Sequence, residues 1–241
     1  MKKYMLVFLS LFFLITRSYS QSLNYKVTFE EDPGTHNMHI CYDGQYYYTV
    51  NGGKSEMGKI SKRMTDGTLV RSYDIKLDMR SIMYNKQNKK FYVCGFDRNL
   101  YEITDLSSGT FKLIKSELYE DDQAALALSP DGKQLYYYSN QVLKIYSFPG
   151  LDEIKQFRDL VPSVDVISGG SVVAVDNFYF YLFDGEKKMI YAFNRKTGEK
   201  VNEVEICCGN YGFSLSAAND MIFVATDGNY GTGNWYGYKL W

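Results

Sequence analysis

Only two histidines, His36 and His39, occur in 241 residues, and the four cysteines contain no CxxC pair. Zinc sites draw on such residues at close spacing, so zinc fingers and zinc hydrolases are set aside. The two histidines form an HxxH pair in a turn that leads into a strand. Without helical presentation or a third ligand, that pair suits surface or packing roles. No Ser-His-Asp order with elbow glycines is present, and Gly53-Lys54-Ser55 ends like a phosphate loop but has Tyr48 where the first glycine belongs. Neither sign of charge dominates: 27 basic against 28 acidic residues leave a net charge of −1. A nucleic-acid backbone or an anionic membrane surface is therefore not the expected partner. Apolar runs are short, and none reaches the length of a membrane span. Helical periodicity is scarce.

The longest apolar stretch, Met5 to Ile15, follows Lys2 and Lys3 and precedes Ser18-Tyr19-Ser20, a small-x-small site before Gln21. That is the plan of an export signal over residues 1–20, and it resembles bacterial leaders that end in a small-x-small-Gln pattern. No cysteine occupies the first mature position, so a lipid anchor is not expected. The expectation is an exported bacterial protein, periplasmic or secreted, with no stable membrane insertion once the signal is removed.

Export permits disulfides, yet Cys41, Cys94, Cys207 and Cys208 are not spaced as a framework. Cys41 and Cys94 suit small buried hydrophobes. The adjacent Cys207 and Cys208 admit either a vicinal disulfide in a strained eight-membered ring or two thiols pointing opposite ways. Strain disfavours the ring.

What the chain has in abundance is aromatic residues, 17% of the total with 23 Tyr and 15 Phe, which pack well on a pleated surface. They recur. Tyr46, Phe91, Tyr136, Tyr179 and Ile222, each early in a strand that follows a polar turn, lie at intervals of 45, 45, 43 and 43 residues. That period matches the roughly 40 to 45 residues of a four-stranded propeller blade. In the first unit the strands are expected at Met38 to Tyr42, Gln45 to Val50, Lys59 to Met64 and Leu69 to Ile75. The last unit holds only Gly212 to Ser216, Met221 to Ala225 and Tyr236 to Trp241, one strand short. Asn24 to Phe29, NYKVTF, stands alone at the front and is free to supply it. The fold expected for residues 21–241 is thus an all-β single propeller of five four-stranded blades, closed by the N-terminal strand completing the last blade.

The turn Ser129-Pro130-Asp131-Gly132-Lys133 with Leu135-Tyr136-Tyr137 resembles bacterial propeller repeats of the TolB and YVTN types. The other repeats keep that turn only in part, at Tyr42-Asp43-Gly44 and Ser216 to Asp220. The resemblance implies the fold, and the fold hosts binding modules, scaffolds and enzymes alike. Five-bladed propellers include glycosidases with acidic residues around the funnel and secreted glutaminyl cyclases. The cyclases carry a glutamate at the end of an aromatic strand, where this chain has Thr49, Val50 and Asn51.

An Asx residue closes every second strand: Asn51, Asp97, Asn140, Asp184 and Asp227. Turn capping explains most such residues, and a ring of ligand groups is the functional alternative. Longer loops on the same side add Lys54, Arg98, Tyr230 and Trp235. Trp235 either stacks on a ligand or packs between blades. The reading for function is a ligand- or protein-binding module whose partner is a protein, peptide or glycan, with no cofactor. The alternatives are a carbohydrate-active hydrolase or lyase using Asp97, Asp184 and Asp227, and a structural part of a cell-envelope assembly engaged through blade edges.

Overall fold

A computed structural model describes residues 22–31, 36–160, 171–229 and 231–241. The expected export signal, the expected Pro33-Gly34 turn, residues 161–170 and Tyr230 lie outside these residues. Strand β1 (Val27–Glu30) is followed by four strands of one sheet: β2 (His36–Tyr42), β3 (Tyr47–Gly52), β4 (Lys59–Arg63) and β5 (Leu69–Asp74). The next sheet holds β6 (Met79–Asn85), β7 (Lys90–Gly95), β8 (Leu100–Asp105) and β9 (Thr110–Lys115). Two further sheets follow, β10 (Ala127–Leu128) to β13 (Glu153–Phe157) through β11 (Gln134–Ser139) and β12 (Val142–Ser147), then β14 (Ala174–Val175), β15 (Tyr179–Asp184), β16 (Met189–Asn194) and β17 (Lys200–Glu205). The last comprises β18 (Ser216–Ala218), β19 (Met221–Ala225) and β20 (Asn234–Tyr238), with β1 as its outer strand. The molecule is a five-bladed propeller. Every blade is a four-stranded antiparallel sheet, a meander in the first four and a three-strand meander joined by β1 in the last.

The aromatic runs make sense in this architecture, because each sheet is covered on both faces by its neighbours. Along β11, Leu135 and Tyr137 pack towards the second blade with Tyr92 and Cys94. Their alternates Tyr136 and Tyr138 pack towards the fourth blade with Phe180 and Leu182. A strand buried on both faces has no solvent side to mark with polar residues. The outer strands keep one edge in water and alternate weakly, with Leu69, Leu113, Ile154 and Val201 partly exposed.

The N-terminal strand closes the ring as the missing fourth strand, with Val27 opposite Gly237 and Glu30 opposite Asn234. Just beyond it the buried carboxylate of Glu31 takes 2.6 Å from Arg63 Nη2 in the first blade and 2.9 Å from Trp235 Nε1 in the last. One side chain thereby ties the first and last blades. Inner strands β10, β14 and β18 are shorter than the apolar runs at Ala124 to Leu128, Ser171 to Val175 and Gly212 to Ser216 suggest. Near the axis the chain leaves its own blade ladder to bond the next blade: Ala125 N donates to Ser171 O at 2.8 Å, and Ile40 N to Ser216 Oγ at 3.1 Å. Because strands alternate in direction, the loops after second strands and the connectors between blades emerge at the same end. That end of the ring, its mouth, carries the loops with Lys54, Asp97 and Asp227.

Candidate functional site

At the mouth, the starts of the inner strands bring charged and aromatic side chains from blades five, one and two into one chain of contacts. His36, the first residue of β2, meets Asp227 Oδ1 through Nδ1 at 2.8 Å. Its ring stacks on Tyr211, with centroids 5.9 Å apart and 19° between planes. The Tyr211 hydroxyl points at Met38 Sδ, 3.7 Å away. Burial pushes that phenol up, the Asp227 charge adds to the rise and Arg80 opposes it. Arg80, on the inner strand β6, approaches the same sulfur from the other side through Nη1 at 3.7 Å.

Arg80 is the unusual residue. It is 6% exposed, set among Met79, Ser81, Ile82 and Met83 of its strand. The ring of Phe96 covers its guanidinium at 4.8 Å, and Asp78 Oδ2 lies 3.4 Å from Nη2. Its Nε has no hydrogen-bond partner among the described residues. Gly52 is required beside it, since a Cβ there would stand 2.9 Å from Met38 Cγ and 3.0 Å from Arg80 Nη1. Asp78 also accepts from Gly53 N at 2.8 Å, which fixes the start of the loop after β3. That loop, the Leu77–Asp78 connector and the turn after β7 enclose a cleft of about 440 Å³, with Lys54, Glu56, Asp78, Phe96 and Asp97 on its walls.

The residues singled out from sequence divide accordingly. Lys54 and Asp97 share the cleft, and Asp227 joins the mouth through His36. Asp97 also works locally, accepting from Asn99 N at 3.1 Å and from the Tyr101 hydroxyl. Asn51 closes its own loop, donating to Met57 O at 3.0 Å and accepting from Lys59 N at 2.7 Å. Asn140 sits at φ 50° in a tight hairpin turn with Gln141 at φ 61°. Arg98 pairs at 3.1 Å with the exposed Glu117 on the rim. Asp184 is 1% exposed and held in its own turn by Lys187, through the backbone N at 3.0 Å and Nζ at 3.0 Å. Trp235 is fully buried and bonded to Glu31, so its environment is that of a packing residue. Cys41 and Cys94 are buried as expected, whereas Cys207 and Cys208 are free thiols that face each other rather than opposite ways.

Sequence reasoning missed Asp78, Arg80, Phe96 and Tyr211, and it assigned His36 to surface or packing. One signal was visible for Arg80: an arginine inside Met79-Arg80-Ser81-Ile82-Met83, an expected strand with three large apolar residues and no other charge. Among the described residues no group of three His, Cys, Asp or Glu side chains could hold a metal ion, and no helix is long and apolar enough to cross a membrane.

No protein-family model matches the chain, and no curated protein matches it by sequence. Among solved structures, a glutaminyl cyclase from Myxococcus xanthus superposes with a TM-score of 0.63 at 8% identity, over 90% of this chain and 97% of that one. The likeness is one of fold.

Proposed function

We propose that the protein is a binding module whose ligand enters the channel mouth and presents a carboxylate or comparable anion to Arg80. The observation that carries this reading is the under-used guanidinium: a buried cation with an unbonded Nε, a sulfur as one contact and a long approach to Asp78 as another. Buried donors left without partners are costly, and a planar guanidinium matches a carboxylate through paired N–H donors. Lys54 on the cleft wall adds positive charge, and the 40% exposed ring of Phe96 offers an apolar contact. A peptide or small carboxylate fits these features. The leader sets this site in an exported protein, and N-terminal sequencing of material recovered outside the cytoplasm is expected to begin at Gln21.

A thermal-shift panel of short peptides, carboxylated sugars and neutral glycans tests the reading, since a ligand selective for the folded state raises Tm by mass action. Carboxylate ligands are expected to raise Tm in the wild type and in Asp184→Asn, and to lose that effect in Arg80→Gln. Stabilisation by neutral glycans alone, unchanged in Arg80→Gln, would contradict it.

A second reading rests on the His36–Asp227 pair. A carboxylate that orients an imidazole beside a tyrosine suits acid–base chemistry, and the structural neighbour is an enzyme. Against a cyclase, the end of β3 offers Asn51, whose amide is already bonded at both ends. Against a two-carboxylate glycosidase, Asp184 is engaged with Lys187. Turnover of a panel ligand that disappears in His36→Gln would favour the enzyme.

A further inference from the structure

The connector between β17 and β18 brings two thiols together. Cys207 Sγ and Cys208 Sγ lie 2.9 Å apart, both free and half-buried. Neighbouring side chains in extended backbone point to opposite sides, so this meeting needs anchors on both residues. They are present. Cys207 N donates to Leu23 O at 3.1 Å. The Tyr238 hydroxyl accepts from Cys208 N at 3.1 Å, donates to Cys208 O at 2.6 Å and stands 3.7 Å from Cys207 Sγ. On the other side Lys188 Nζ reaches Cys207 O at 3.4 Å. The remaining cysteines, Cys41 and Cys94, lie in the core.

We propose that Cys207 and Cys208 are a reversible redox pair, closing to a vicinal disulfide by exchange with a low-molecular-weight disulfide. Cys207 is the attacking thiol. Burial pushes it up, but hydrogen bonds from the Cys208 thiol and from the Tyr238 hydroxyl, which turns its one proton from Cys208 O to the thiolate, outweigh burial and hold it below the ordinary thiol range. Cys208 is raised, by burial first and then by its neighbour. The Cys207 thiolate attacks one sulfur of the small disulfide and expels a thiolate, which takes up a proton. Cys208 then loses its proton, attacks Cys207 Sγ and expels the second thiolate, which is protonated in turn. Two protein thiols are oxidised and one small disulfide is reduced to two thiols.

Reversibility follows from geometry. Adjacent Cα atoms stand about 3.8 Å apart, closer than the roughly 4.4 to 6.8 Å that disulfides prefer. The ring is therefore strained, and strained disulfides are the readily reduced ones. A permanent staple is not what this pair would make. Cys94, by contrast, is pushed up to about 12 by burial and Cys41 is raised by the same cause, so neither competes for the oxidant.

The test uses the reduced, folded full chain. A chromogenic aromatic disulfide is expected to titrate two of the four thiols in the native state and the other two only after denaturation. Oxidised glutathione is then expected to remove both accessible thiols, with the mass falling by two hydrogens and no glutathione retained. Cys208→Ser should instead trap a stable glutathione adduct on Cys207. Tyr238→Phe should slow the first step several-fold while preserving the end product. As an independent readout, an aryl arsenoxide should bind one per chain and lose that binding in either Cys→Ser variant, because two sulfurs must reach one arsenic. A wild-type chain that keeps both thiols, accumulates the glutathione adduct or ignores the arsenoxide would overturn the proposal.

Discussion

His39 and Arg80 are both ionisable residues on inner strands, and burial treats them differently. Arg80 keeps its charge, since arginine does not deprotonate in proteins, and so must find an anion. His39 can shed its charge. Burial lowers its pKa to about 4, with only the backbone of Ile82 acting the other way. In the unfolded chain the same group titrates near 6.5, so between these values the unfolded state binds the extra proton. Stability is therefore expected to fall as pH drops from about 6.5 towards 4, by about 3 kcal/mol in full. Urea unfolding of wild type and His39→Leu at pH 7 and pH 4.5 checks this: the wild-type midpoint should move much further than that of the variant. Equal movement would place the acid sensitivity elsewhere. At this scale the site was only half legible in the sequence. Lys54, Asp97 and Asp227 announce themselves as polar residues in loops. Arg80, Tyr211 and Phe96 acquire their roles from partners distant in the chain, Phe96 and Met38 for Arg80 and Met38 and His36 for Tyr211, which no local pattern encodes.

Among elements, β1 has the largest leverage for its length. It supplies four residues of ladder, and Glu31 just after it joins Arg63 and Trp235 in a buried cluster. Arg63 also donates to Gly67 O at 2.9 Å and lies over the Phe29 ring at 5.4 Å. Removing one partner strands the other charge, which costs about 3 to 5 kcal/mol in such settings. Glu31→Ala should lower stability by that order in chemical denaturation. A loss under about 1 kcal/mol would mean that the ring closes mainly through the β1–β20 ladder. The closing role of NYKVTF was legible because the last repeat lacked a strand. The cluster was not, since Glu31 follows the apolar pattern rather than interrupting it. Strand limits were least legible at β10, β14 and β18, where bonds between blades replace the ladder within a blade.

The whole molecule is a ring whose aromatic strands wedge neighbouring blades apart while binding them together, and this left a clear trace. A period of 43 to 45 residues, set by Tyr46, Phe91, Tyr136, Tyr179 and Ile222, counts the blades directly. Function left a fainter trace, because it gathers at one end of the ring, where blades five, one and two each contribute a few side chains from a different repeat. The central claim is that Arg80 at this convergence receives an anionic ligand group. The most direct measurement is calorimetric titration of the strongest panel ligand, as carboxylate and as its amide, into wild type and Arg80→Gln. The account predicts that the amide weakens binding to the wild type at least tenfold and changes little in Arg80→Gln, so that the two losses do not add. Equal weakening in both proteins would show that the carboxylate is recognised elsewhere and would contradict the account.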